Sequence, residues 1–138
     1  MAAFNKFNAF SEALAEKVHN LGADTLTIAL CAAANAPVAT NSVLADLTQI
    51  AYTNLSARTL TVSSSSQTSG TYKLVIADKT LTASGGAVAT FRYIVIYNDT
   101  ATNDELIGWY DYGSNLTLAD GESLTIDFDN SGGVLTLV

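Results

Sequence analysis

The groups in this sequence that could do chemistry are few, and each can be named. His19 is the single histidine and Cys31 the single cysteine. Every Ser–His or Cys–His scheme would have to use that one imidazole. No Gly-x-Ser-x-Gly elbow is present to expose a nucleophilic serine. A zinc site built on His19 and Cys31 would need carboxylates to complete its ligand set. His19 more simply sits near the end of a predicted helix, where the helix dipole favours a cation. Cys31 closes an apolar strand, where a thiol behaves as a small hydrophobe. Carboxylates gather twice: Asp99, Asp104 and Glu105 around one loop, and Asp127 and Asp129 at alternate positions of one strand. Two carboxylates facing each other across a cleft would suit glycoside hydrolysis, but nothing in the spacing separates such a pair from solvated acids at strand ends. Residues 127–132 begin like a calcium loop. Its twelfth position falls on Val138, where a bidentate glutamate is required. The expectation is a protein that is not an enzyme, with no catalytic residue, no metal and no cofactor.

Two aromatic groupings could instead bind. Trp109, Tyr110 and Tyr112 lie close together, with Tyr93 and Tyr97 nearby in sequence. Strict alternation would put Ile107, Trp109 and Asp111 on one strand face and Gly108, Tyr110 and Tyr112 on the other. Such rings could stack on a sugar in a lectin-like module, and they serve equally in β cores and protein interfaces. Phe4, Phe7 and Phe10 form the second grouping. They either pack on the chain's own core or reach a neighbouring subunit, since termini are often free to do so. If they reach outwards, removing residues 1–10 should abolish attachment and leave the β fold intact.

These residues need elements to position them. Phe7, Phe10, Leu14, Val18 and Leu21 recur at threes and fours, which predicts a helix. Asn8 or Ser11 would cap its start, and Gly22 would stand at its C-cap. Beyond Gly22 the period falls to two. Strands are predicted over 25–31, 58–63, 71–77, 90–97, 105–112, 116–118, 122–128 and 134–138, with 79–83 either a separate strand or the continuation of 71–77 past a bulge. Residues 43–50 read as a short helical turn capped by Asn41 or Ser42, and 63–70 read as a polar loop. Short strands separated by turns predict an antiparallel β-sandwich, of jelly-roll type first and immunoglobulin-like second, with one N-terminal α-helix. Residues 1–22 would be an arm and helix belonging to the same domain as the sandwich of 23–138.

Composition narrows the partners. Of 138 residues, 49% are hydrophobic and only 14% are charged, against roughly 25% charged in soluble domains. Thr, Ser, Asn and Ala must therefore cover much of the exterior, and uncharged groups lose less on burial than ions do. Such a surface suits extensive contact with other protein chains. A net charge of −7 argues against nucleic acid and against an anionic membrane. A lone cysteine and no signal-like start predict folding in a reducing cytoplasm. Asn-x-Ser/Thr triplets at Asn54, Asn98 and Asn115 would then be chance matches.

Three stretches carry a resemblance: Glu12-Ala13-Leu14-Ala15-Glu16-Lys17-Val18-His19-Asn20-Leu21-Gly22, Asp104-Glu105-Leu106-Ile107-Gly108-Trp109-Tyr110-Asp111-Tyr112-Gly113 and Leu118-Ala119-Asp120-Gly121-Glu122. They resemble the capsid cement (decoration) proteins of tailed bacteriophages, and the similarity runs along the whole chain. None of the stretches is a motif of known chemistry, so no binding residue carries over. The resemblance implies a jelly-roll structural protein on the outer surface of an icosahedral virion. It implies a homodimer that clamps neighbouring subunits of the major capsid protein and is assembled in the host cytoplasm.

Overall fold

The structure, a computed structural model, describes residues 2–138. It is mostly β, with one α-helix and three antiparallel sheets. The four-stranded sheet runs β1 (Asn5–Lys6), β7 (Leu106–Leu116), β6 (Phe91–Asn98), β2 (Leu26–Cys31). The second sheet runs β3 (Val62–Thr68), β4 (Thr71–Ile76), β9 (Leu135–Leu137), and the third pairs β5 (Lys79–Thr82) with β8 (Ser123–Ile126). One core joins all three sheets: Leu26, Ile28, Ile96 and Tyr110 from the largest meet Leu74 and Ile76 of β4 and Leu81 and Ile126 of the β5–β8 pair. A smaller cluster lies on the other face of the large sheet. There Ala29, Cys31, Val95 and Leu106 are covered by Phe7 and by Leu44 and Leu47.

All six residues of β2 are buried, so its alternation marks two covered faces and not an inside and an outside. Its outer edge is covered as well. The Ile28 N–H donates to the Arg58 carbonyl (3.1 Å) and the Leu60 N–H to the Leu26 carbonyl (2.8 Å). Arg58 adds a bond from Nη1 to the Ile28 carbonyl (2.5 Å) and lies over the Tyr52 ring.

The predicted helix is shorter than its stripe. α1 spans Asn8–Ala15, with Phe7 at its N-cap and no side-chain cap from Asn8 or Ser11. Lys17 turns left-handed at φ 68°. The Val18 N–H donates to the Ala13 carbonyl (2.9 Å) and the Lys17 N–H to the Leu14 carbonyl (3.3 Å). This is the bond pattern of a Schellman stop, with lysine at the position where glycine is usual. Leu21 still reaches the core, but from an irregular turn. Residues 63–68, expected as a loop, belong to β3 and pair with β4 through a two-residue turn, Ser69–Gly70, in which both φ values are positive. That is the backbone a tight hairpin demands. The turn expected at 43–50 is present as a 3-10 segment, Leu44–Asp46. The Asp46 carboxylate reaches back to the N–H groups of Ser42 (2.8 Å) and Val43 (3.1 Å).

Candidate functional site

Two members of each aromatic grouping turn out to be partners. β1 pairs with β7, placing Asn5 opposite Trp109 and Lys6 opposite Gly108. Phe7 packs on Trp109 with ring centroids 4.5 Å apart, and Phe4 meets Tyr110 edge-on at 5.6 Å. Gly108 makes this possible, because a Cβ there would collide with the Phe4 ring and lie 2.7 Å from the Asn5 carbonyl. Phe7 and Phe10 are buried, at 0% and 3% exposure. Phe10 lies in the main core beside His19. Only Phe4 is left half-buried. The phenylalanines proposed for a neighbouring subunit thus serve this chain's own packing, because the N-terminal segment is held as a sheet edge.

Alternation along β7 breaks at Ile107. Ile96 lies opposite Gly108 and Tyr97 opposite Leu106, so Ile107 is an extra residue in a β-bulge. Ile107 therefore joins Tyr110 in the main core, while Trp109 sits with the smaller cluster on the other face. Trp109, Tyr110 and Tyr112 do not form one platform. Tyr110 is buried, and burial pushes its hydroxyl up to about 12. Tyr112 is exposed. Together Tyr110 and Tyr112 line a cleft of about 210 Å³ with Ile94, Leu124, Asp127 and Phe128. At a second slip in the register, Arg92 and Asp111 form a two-pronged ion pair (2.8 and 3.0 Å). It is the only salt bridge among the described residues.

The remaining candidates have structural partners. Burial raises the Cys31 thiol to about 11, which keeps it from being a thiolate near neutrality. Asp129 is held below the usual carboxylate range by the N–H of Gly132 (2.7 Å), with the hydroxyl and N–H of Ser131 adding to it. The calcium-like run is therefore a turn capped by its own acid. Asp104 is raised, first by burial and then by Asp99 and Glu105. Among the described residues no three His, Cys, Asp or Glu side chains are placed to hold a metal. Asn98, the start of one Asn-x-Thr triplet, is fully buried.

Asn98 instead organises a buried polar cluster, which sequence reasoning missed. Its Oδ1 accepts from the N–H groups of Thr100 (3.0 Å) and Ala101 (3.2 Å). With the amide so oriented, Nδ2 donates to His19 Nδ1 (3.0 Å) and to Asp24 Oδ2 (2.6 Å). His19 Nδ1 must then be the acceptor, so the proton sits on Nε2 and the ring is neutral. Burial lowers the His19 pKa below 6.5, outweighing Glu105 and Asp24, which raise it. The expected role as a cation at a helix end is thereby corrected: α1 stops at Ala15, and His19 is only 5% exposed. Because the unfolded chain binds this proton more readily than the folded one, stability is complete above about pH 6.5 and falls below it. As the pH falls below about 6.5 the slope is at most ~1.4 kcal/mol per pH unit, the limit for one proton. Urea unfolding across that range checks it. A flat profile, or the same slope in His19→Gln, would refute it.

What the exterior offers a partner is a set of paired hydroxyls. Across β5 and β8, Thr80 bonds Thr125 (3.0 Å) and Thr82 bonds Ser123 (2.8 Å), and Thr90 bonds Thr117 (2.6 Å). These pairs are exposed and already satisfied, so covering them strips little strongly held water. Compared with known protein families, curated proteins and solved structures, the chain matches none.

Proposed function

We propose that this chain is a structural virion protein of the capsid cement type, which binds the outside of an icosahedral phage head as a homodimer and clamps neighbouring major capsid subunits. The observation that carries the reading is the exterior: hydroxyl pairs on the exposed strands, with a single ion pair among the described residues. A surface of this kind is suited to lasting burial against other chains, and it joins the sequence resemblance to tailed-phage cement proteins. Under this reading the large sheet and the two small ones are the halves of a jelly-roll sandwich.

The mechanism is mass action. A protein that binds the expanded shell and not its precursor stabilises the expanded state by its difference in affinity. Each site need contribute little, because repeated sites share subunits. Mixing the purified protein with bare heads tests this. Density bound on the outer surface, with a raised temperature of head rupture, is the expected result. Heads that stay bare at saturating protein would sink the reading. A glycan screen yielding a ligand whose binding is lost in Tyr112→Ala would favour the lectin-like alternative.

A further inference from the structure

β3 presents an open strand edge. β2, the outermost strand of the large sheet, has its edge covered by the segment around Arg58 and Leu60. β5 is flanked by Ser56, which donates its N–H to the Thr82 carbonyl and accepts from the Thr82 N–H. β3 is seven residues long and has β4 on one side only.

The register shows which groups are left open. A two-residue turn makes Thr68 and Thr71 a bonded pair, and bonded pairs then recur at Ser66–Lys73 and Ser64–Val75. Leu74, opposite Ser65, turns its carbonyl the other way and accepts from the Val134 N–H (2.8 Å). The backbone N–H and C=O groups of Ser65 and Gln67 therefore point away from β4. Among the described residues they have no partner. Exposed edges normally carry a lysine, a proline or some cover that prevents pairing. Here no charged residue and no proline occurs between Arg58 and Lys73.

We infer that β3 pairs antiparallel with β3 of a second copy, on a two-fold axis through Ser66. That register sets Ser66 against its own counterpart and Ser65 against Gln67 of the partner subunit. The open N–H and C=O groups on both strands then satisfy one another, and two three-stranded sheets become one. A second copy is the fitting occupant on grounds of charge. Each chain carries −7, so most self-contacts would oppose like charges, whereas this edge is uncharged throughout. Strand pairing alone is a modest interface, and a reversible dimer is expected. The inference locates the seam of the homodimer in the proposed function and rests on that part of it; it does not depend on the capsid partner.

Ser66→Lys tests it, because it places two lysines directly opposite, at about 4.5 Å between Cα atoms. Sedimentation equilibrium of the full chain should show a dimer whose dissociation constant rises at least about tenfold in Ser66→Lys and stays unchanged in Ser66→Thr. Thermal melts of the three monomers should agree, since Ser66 is exposed. Independently, Ser66→Cys should form a covalent dimer in oxidised glutathione, with the two thiols giving up their hydrogens to the glutathione disulfide. Ser114→Cys, exposed on β7, should not. A monomeric wild-type chain overturns both the seam and the homodimer. A dimer that survives Ser66→Lys, or no cross-link through Cys at 66, overturns the seam and leaves the homodimer standing. Binding to bare heads is scored separately and bears only on the capsid reading.

Discussion

Replacing Phe7 by alanine is expected to remove about 3–5 kcal/mol of stability. Phe7 has no exposed surface, and it closes the smaller cluster over Val95, Leu106 and Trp109. Phe10 is nearly as buried in the main core. Deleting residues 1–10 removes both rings, and it removes β1 from the edge of the large sheet. Two losses of this size approach the whole stability of an ordinary domain, about 5–15 kcal/mol. The truncated chain should therefore show no cooperative unfolding in urea. An expectation that it keeps an intact β fold does not survive the burial of these side chains. An unchanged midpoint in Phe7→Ala, or a cooperative transition in the truncated chain, would contradict the packing described above. Attachment to a partner is better examined through Phe4→Ala, which trims a half-buried ring and keeps Phe7 and Phe10.

Asn98→Ala should cost about 1–3 kcal/mol, although the residue lies next to a loop and looks from sequence like a surface asparagine. Its amide closes the turn through Thr100 and Ala101 and ties that turn to His19 and Asp24. Alanine would leave the buried His19 Nδ1 without its partner and would free the N–H groups of Thr100 and Ala101, which lie nearer the surface; an unsatisfied buried group carries a desolvation penalty. Asn98→Asp gives a sharper measurement. It keeps the acceptor for the turn and replaces the donor facing His19 with an anion. The imidazole should then gain a proton on Nδ1, and its pKa should rise. Histidine titration by NMR reads this directly. A His19 pKa that falls or stays put in Asn98→Asp would refute the contact between residue 98 and the ring.

Much of the strand layout could be read from residue order. β4 and β8 carry their apolar residues at a two-residue period, and β6 is a run of β-branched and aromatic residues; these signals locate them. β3 escaped because its serines and threonines carry no apolar signal. It is a strand through its hairpin with β4, and Tyr72 Oη bonds Ser65 Oγ across the pair (2.8 Å). The helix end escaped for another reason. Val18 and Leu21 continue an apolar stripe, and stripes record which residues face the core, not which backbone carries them there. Lys17 gave no glycine signal for the left-handed stop.

The candidate site divides the same way. Composition by itself determined that the exterior is poor in ions and that one histidine and one cysteine must serve any chemistry, because these are properties of the list of residues. Periodicity determined the mostly β class, because a strand's faces repeat every two residues whatever surrounds it. Only the tertiary structure decided that Phe7 meets Trp109, that an extra residue at Ile107 sends Trp109 and Ile107 to opposite faces, and that Asn98 holds His19 neutral. The first and last depend on contacts between residues about a hundred or eighty positions apart, as Asn5 is from Trp109 and His19 from Asn98, and the bulge depends on how β7 registers against β6. Local propensity carries no term for such pairs, so chain order alone cannot express them.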